Sequence, residues 1–275
     1  MASEISAKAE VSPKAKIGDN CKIFPFVYIE DDVVIGDDCV IFPFVSILNG
    51  TRMGRGNKVH QGAVVGALPQ DFNFCGDKTE LVIGDGNIIR ENVVINRATH
   101  CGGRTVIGNH NFLMEGAHIS HDTKIGDHCV FGYGTKIAGD CLIGNGVIFS
   151  SSVIENAKTR VGDCAMVQAG TTFSKDVPPY IIAGGKPVGY NGPNTTMMTA
   201  NGVEDKVQKH VANAYRLVFH GQNSVFDAVL QINEQVPDSP EIRKIVDFIN
   251  LRNWESSVKC SSYLCILRYM RKGWP

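Results

Sequence analysis

An aliphatic side chain returns at every sixth residue along most of this chain. Counting in sixes from Ile5 gives Val11, Ile17, Ile23, Ile29, Ile35, Ile41, Ile47, Met53, Val59 and Val65. The frame resumes at Ile83, Ile89 and Ile95, and runs again from Ile107 through Leu113, Ile119, Ile125, Phe131, Ile137 and Ile143 to Phe173. Of its 29 positions 25 are aliphatic or Phe, the exceptions being Asp71, Asp77, Cys101 and Glu155. Two residues ahead of most of them stands a small or β-branched residue, such as Cys21, Val27, Cys39, Val45, Thr51, Ala117, Thr123, Cys129 and Cys141. Strand side chains alternate, so residues two apart point the same way, and each hexad offers a small and a large inward residue followed by a corner.

The corners have a longer period. Gly18, Gly36 and Gly54, then Gly108, Gly126, Gly144 and Gly162, recur at whole multiples of three hexads. A period of three hexads predicts a triangular solenoid of parallel strands, a β-helix of about ten coils over residues 1–190. Two stretches interrupt the frame, residues 66–82 and 97–106. Loops ejected from a regular solenoid cost little if their ends stay in register, and loops tend to carry function. Beyond about residue 191 the pattern changes to helical spacing in "VANAYRLVF", "FDAVLQI" and "EIRKIVDFI", which predicts a small helical domain over 191–252. The tail 253–275 is basic and apolar, which fits either a short partner-binding helix or a segment without a role.

Composition narrows the function. With 43% hydrophobic residues in 275, the chain can bury a substantial core. No run reaches the roughly 18 apolar residues of a membrane span, and the first residues lack a signal region, so the expectation is a cytoplasmic protein without integral membrane association. A formal charge of -1 gives no general field for nucleic acid. The nine cysteines are odd in number, scattered and without a CxxC pair, so they read as reduced thiols; Cys21, Cys39, Cys129 and Cys141 fall on inward packing positions.

One stretch breaks the monotony: "GAHISHDTKIGDHC", residues 116–129. With Ile119 inward, His118 points out along its strand and His121 falls at the next corner. Both could be solvated wall residues, as His110 and His128 are read. The Asp122 beside His121 favours a site, since an aspartate can fix a histidine tautomer and stabilise the imidazolium formed when it takes a proton. A flat prism face has no pocket unless a neighbour covers it, so the reading includes a homotrimer with intersubunit sites. Zinc is disfavoured: the spacing is HxxH, and His100, three hexads before His118, sits in an irregular loop.

The hexads resemble those of the hexapeptide-repeat acyltransferases, whose prism is a left-handed parallel β-helix. The repeat together with "PQDF", "IREN", "AHISHD", "DVPPY" and a helical C-terminus in this order resembles the UDP-N-acetylglucosamine O-acyltransferases that begin lipid A synthesis in Gram-negative bacteria. That resemblance implies transfer of an (R)-3-hydroxyacyl chain from acyl carrier protein to the sugar 3-hydroxyl, without metal or cofactor. It implies His121 as general base, Asp122 as the group that orients it, and the backbone N–H of Gly139 as oxyanion donor, although Gly139 reads equally well as a plain corner. It places Asp71, Asn73, His118, Asp140, Asn156 and Asn194 along the substrate pocket, and Ala169 where acyl length is limited.

Several positions depart from the family pattern. "AGH" is here "AGD" at Asp140, "VHQF" is "ENAK" from Glu155 to Lys158, "DLKY" is "DFNF" with Asn73 for Lys, and a basic "KRRG" is "TANG" at 199–202. Each lost cation near a diphosphate removes a charge-assisted bond of roughly 1.5–3 kcal/mol. Lys158, Arg160 and Lys186 are the candidates to replace them. Three readings stay open: the O-acyltransferase, a relative acylating an amino group or another nucleotide sugar, and a catalytically silent solenoid.

Overall fold

The computed structural model describes residues 2–220 and 224–250. The chain up to Gly184 forms a left-handed parallel β-helix. Short strands, mostly of two residues, alternate with corners and stack into three flat sheets of eleven, nine and eight strands among the described residues, which form the sides of a triangular prism. Within each sheet, residues three hexads apart are register partners, as with Ile23 and Ile41 or Ile119 and Ile137.

The interruptions leave this register intact. Val65 pairs with Ile95 across five hexads, and Ile95 with Ile119 across four, where an ordinary coil takes three. The first excursion therefore adds two hexads to its coil and the second adds one. Because both are whole hexads, the frame resumes unshifted after each. A shift of one residue would have turned every inward side chain outward.

The frame residues fill the prism. Ile29, Ile47, Val65, Ile95, Ile119 and Ile137 form one fully buried column, and the rings of Phe131 and Phe149 stack at 5.2 Å. Each such side chain contributes about 1.5–3 kcal/mol by leaving water. The small inward residues also hold the corners. The thiols of Cys21, Cys39 and Cys129 donate to the carbonyls of Gly36, Gly54 and Gly144 in the next coil, and the Thr123 hydroxyl does the same to Ala138. Burial pushes the Cys39 thiol up to about 11 and that of Cys129 up to about 12, so these are unreactive packing groups. Between them the column changes chemistry: Asn57, Asn87 and Asn111 are buried, and each side-chain oxygen accepts the backbone N–H of the residue one coil on.

The far end of the prism is closed by a strand, Gly189–Pro193, paired antiparallel to Ile181–Gly184, and by four helices. These are α1 (Thr195–Ala200), α2 (Asp205–His220), α3 (Val225–Gln235) and α4 (Pro240–Asn250). The first sheet thus runs on to Pro193, slightly past the boundary at 190 read from composition, and α1 had no counterpart in the helical spacing. The buried Tyr215 of α2 donates its hydroxyl to Pro179 O at 2.6 Å, tying helix to solenoid. From α4, Lys244 pairs with Asp163 at 2.6 Å. The tail at 253–275 lies outside the described residues.

Candidate active site

The strand His118–Ile119 belongs to the nine-stranded sheet, and the corner after it carries His121 and Asp122. Asp122 has a φ of 58°, a left-handed conformation that aspartate tolerates better than most residues, and its own N–H donates to Thr105 Oγ1 at 2.9 Å. This turn swings its carboxylate beside the preceding side chain. Asp122 Oδ2 lies 2.9 Å from His121 Nδ1 and also accepts the backbone N–H of Thr99 at 3.0 Å. With Nδ1–H donated to the carboxylate, Nε2 of the neutral ring is left with a free lone pair.

Electrostatics follow from the same contacts. The hydrogen bond to Asp122 is the largest influence on His121 and raises its pKa above the ordinary histidine value; the Asp122, Asp71 and Asp140 charges add to this, while burial opposes it. Burial works to raise the Asp122 pKa, but the bonds from His121 and Thr99 outweigh it and hold the carboxyl below its usual value. His118, half-buried, is shifted down by burial and by the positive charges of Lys136 and His121, so it is neutral near pH 7.

Two elements complete the corner. The first excursion folds back over it and brings Asp71 Oδ2 to 3.7 Å from His121 Nε2. Asn73 fastens that carboxylate by donating both its backbone N–H and its side-chain Nδ2–H to Asp71 Oδ1, each at 2.9 Å. One coil on, Gly139 lies directly against the His121 ring: a Cβ there would sit 2.5 Å from Cε1 and 2.7 Å from Nε2. Gly139 has ordinary backbone angles, so glycine is needed here for space. Its carbonyl accepts from Lys158 N–H at 3.0 Å, and its own N–H meets no acceptor among the described residues.

The other expected residues divide. Asp140 and Asn156 are exposed on the same corner, one and two coils along, where Asp140 N–H donates to His121 O. Ala169 is exposed in the turn after Met166–Val167 of the eleven-stranded sheet, a different corner of the same protomer. Asn194 is buried and caps α1: its oxygen accepts Met197 N–H, and its Nδ2 donates to Cys164 O at 2.9 Å. Arg160, a candidate for a phosphate, is turned to Asp176 and stacked on Phe248 of α4. Sequence reasoning missed Thr99 and Thr105, which hold Asp122. Thr105 stands two residues before Ile107, the inward small-residue position of the frame, so the pattern could have found it; nothing in the pattern marks Thr99.

Arranged in this way, the corner offers a histidine base with an oriented tautomer, a carboxylate to balance its charge, and a bare N–H one coil away. Among the described residues no three or more His, Cys, Asp or Glu side chains are placed so that they could hold a metal ion. Comparison with known proteins bears on the family of the chain. Residues 176–257 match the family model described as UDP-N-acetylglucosamine O-acyltransferase, domain 2, and residues 14–41, 32–67 and 104–139 match that of the bacterial transferase hexapeptide. An acyl-[acyl-carrier-protein]--UDP-N-acetylglucosamine O-acyltransferase of Xanthomonas axonopodis is 43% identical over 89% of this chain and 94% of its own. Among solved structures, a UDP-N-acetylglucosamine acyltransferase from Bacteroides fragilis is 47% identical with a TM-score of 0.88, covering 90% of this chain and 96% of its own. The Francisella novicida enzyme of the same description is 32% identical with a TM-score of 0.86, covering 90% and 91%.

Proposed function

The chain belongs to the UDP-N-acetylglucosamine O-acyltransferase family, and we propose how the corner at His121 carries out that family's reaction. The reaction moves an acyl chain from acyl carrier protein to the 3-hydroxyl of UDP-N-acetylglucosamine, the first step of lipid A biosynthesis. The chain moved is an (R)-3-hydroxyacyl group. The observation that carries the assignment is the free lone pair at His121 Nε2, set by the bond from Nδ1 to Asp122.

In this reading His121 Nε2 takes the proton of the sugar 3-hydroxyl as that oxygen bonds to the thioester carbonyl carbon. Asp122 stabilises the imidazolium that results. The carbonyl oxygen becomes an oxyanion that accepts the bare N–H of Gly139, a donor fixed before the reaction begins. Collapse breaks the carbon–sulfur bond, and the departing carrier thiolate takes the proton back from His121. Asp71, held by Asn73, and His118, Asp140 and Asn156 line the acceptor side, while Ala169, at another corner of its own protomer, bears on the acyl chain held in a neighbour's site. Asn194 is taken up as a helix cap that ties α1 to Cys164, and no role in the transfer is assigned to it.

The corner is open in a single protomer, with Asp140, Asn156 and Lys158 exposed. Acyl transfer from a thioester competes with hydrolysis, so water must be kept out. We therefore take the working unit as a homotrimer in which a neighbour covers each site. No helix among the described residues is long and apolar enough to cross a membrane, and we place the reaction in the cytoplasm.

The test is a transfer assay with a panel of (R)-3-hydroxyacyl carrier proteins, offering UDP-N-acetylglucosamine or its 3-amino analogue and reading product mass. An ester on the ordinary sugar is the expected product, and His121→Ala should lower its rate by about 10²–10⁴. An amide alone would show that the altered residues at Asp140 and 155–158 have redirected the acceptor. Undiminished turnover in the alanine variant would remove His121 from the mechanism.

A further inference from the structure

The column of inward residues on the nine-stranded sheet is broken once, at Glu155, between its register partners Ile137 and Phe173. The side chain remains inside the prism, with the residue 1% exposed. Its Oε1 lies 2.7 Å from Thr159 Oγ1, which also lies 2.8 Å from the carbonyl oxygen of Asn156; Oε2 has no partner. A threonine hydroxyl has one proton to give. Both contacts are hydrogen bonds only if the second proton comes from the carboxyl group, because a carbonyl has none. A buried carboxylate with one oxygen unpaired would also cost far more than the neutral acid. The protons therefore run from Glu155 Oε1–H to Thr159 Oγ1, and from Thr159 Oγ1–H to Asn156 O.

This chain ends at the corner that supports the oxyanion donor. The backbone carbonyl of Glu155 accepts the N–H of Ala138 at 3.0 Å, and Lys158 N–H donates to Gly139 O at 3.0 Å. The peptide carrying the bare Gly139 N–H lies between those two anchors. We propose that Glu155 is a positioning residue for acyl transfer: a buried neutral acid that holds the corner 156–158 and, through it, the peptide of Gly139, and that loses this role when it ionises.

The titratable groups that bear on Glu155 are few. Asp176 acts on it from a distance while paired with Arg160 at 2.7 Å; the Cys141 thiol, itself shifted up by burial, lies 3.7 Å from Thr159 Oγ1 and, like Thr159, acts on the carboxyl group by hydrogen bonding, against the effect of burial. Burial pushes the Glu155 carboxyl up to about 8, so the acid is neutral at pH 7. In the unfolded chain it titrates near its ordinary value of about 4.3. Between these values the native state keeps a proton that the unfolded state has released. Wild-type stability should therefore fall as pH rises through that window and level off above it.

The positioning role rests on the proposed function; the stability slope does not. The experiment follows kcat and Tm of wild type, Glu155→Gln and Glu155→Leu from about pH 5 to about pH 9.5. Glutamine stays neutral and can still donate to Thr159, whereas leucine restores the aliphatic column without a donor. Glu155→Gln should keep kcat within about twofold at pH 7 and stay active at about pH 9, where wild type has lost about tenfold through ionisation of an acid of pKa about 8. Its Tm advantage over wild type should widen up to about pH 8 and then stay constant. Glu155→Leu should fold, lose kcat at every pH and keep its KM for the UDP-sugar. The same alkaline loss in Glu155→Gln, or full kcat in Glu155→Leu, would overturn the positioning role. Absence of transfer by wild type at every pH would sink the reaction itself, while the Tm difference would still report the neutral acid.

Discussion

His121 rests on a place where no side chain fits. A methyl group at residue 139 would enter the imidazole at 2.5 Å, well inside van der Waals contact, so Gly139→Ala must push the ring or the corner aside. Because a misplacement of about 1 Å can cost on the order of 10² in rate, the variant should lose kcat by about that factor while keeping its affinity for the UDP-sugar. Unchanged kcat, with calorimetry showing normal binding, would mean that the ring does not act from the position it holds in the structure. The neighbouring carboxylate has a different signature. With His121 as the proposed base, catalysis needs its ring neutral, so activity should rise with pH through a histidine pKa lifted mainly by the Asp122 hydrogen bond. Asp122→Asn removes the largest cause of that lift. The acid limb of kcat should move to lower pH, though not to that of a free histidine, since Asp71 and Asp140 still face the ring. The plateau should fall as well, because the imidazolium loses its counter-charge. A limb that stays where wild type has it would show that another group sets it.

At the scale of elements, the hexad frame was legible because each inward position asks for the same thing, an aliphatic group in a dry column. It survived both excursions because their lengths are whole hexads. Where the column asks for something else the pattern hides it. Asn57, Asn87 and Asn111 look polar and therefore outward, yet they are buried because each satisfies the backbone of its neighbouring coil, so no hydrogen-bonding group is stranded. The strand Gly189–Pro193 and the six-residue α1 were invisible for another reason: they are short and held by the solenoid they close, with Asn194 bonded to Cys164 O. The site divides along the same line. His121 and Asp122 adjoin in sequence, and Gly139 follows His121 by one coil of three hexads, so the repeat itself stacks them. Asp71 lies in an excursion that obeys no period, and only the fold brings it to 3.7 Å from the ring. The resemblance named Ala169 and Asn194, yet the fold sets Ala169 at another corner and uses the Asn194 side chain as a cap.

Over the whole molecule, apolar surface remains after the prism is filled. The rings of Phe24 and Phe42 stack at 5.3 Å and those of Phe26 and Phe44 at 5.2 Å along one corner of the first coils, and Phe44 is 63% exposed. A ladder of exposed rings is what a partner surface covers. The His121 corner likewise leaves Asp140, Asn156 and Lys158 exposed to water. The proposed trimer would answer both needs: a closed threefold ring would put each protomer's open corner against a neighbour and leave no unsatisfied interface. Three chains of 29.9 kDa give about 90 kDa, so light scattering should return that mass at micromolar concentration. The stronger test couples assembly to function. If each site is completed by a neighbour, activity per chain should fall with the trimer fraction on dilution, and Phe44→Lys should lower both together while leaving the circular dichroism of the isolated solenoid unchanged. A monomeric fraction with full activity per chain would break that link, because it would show that one prism, with its own excursion folded over His121, already excludes enough water for transfer.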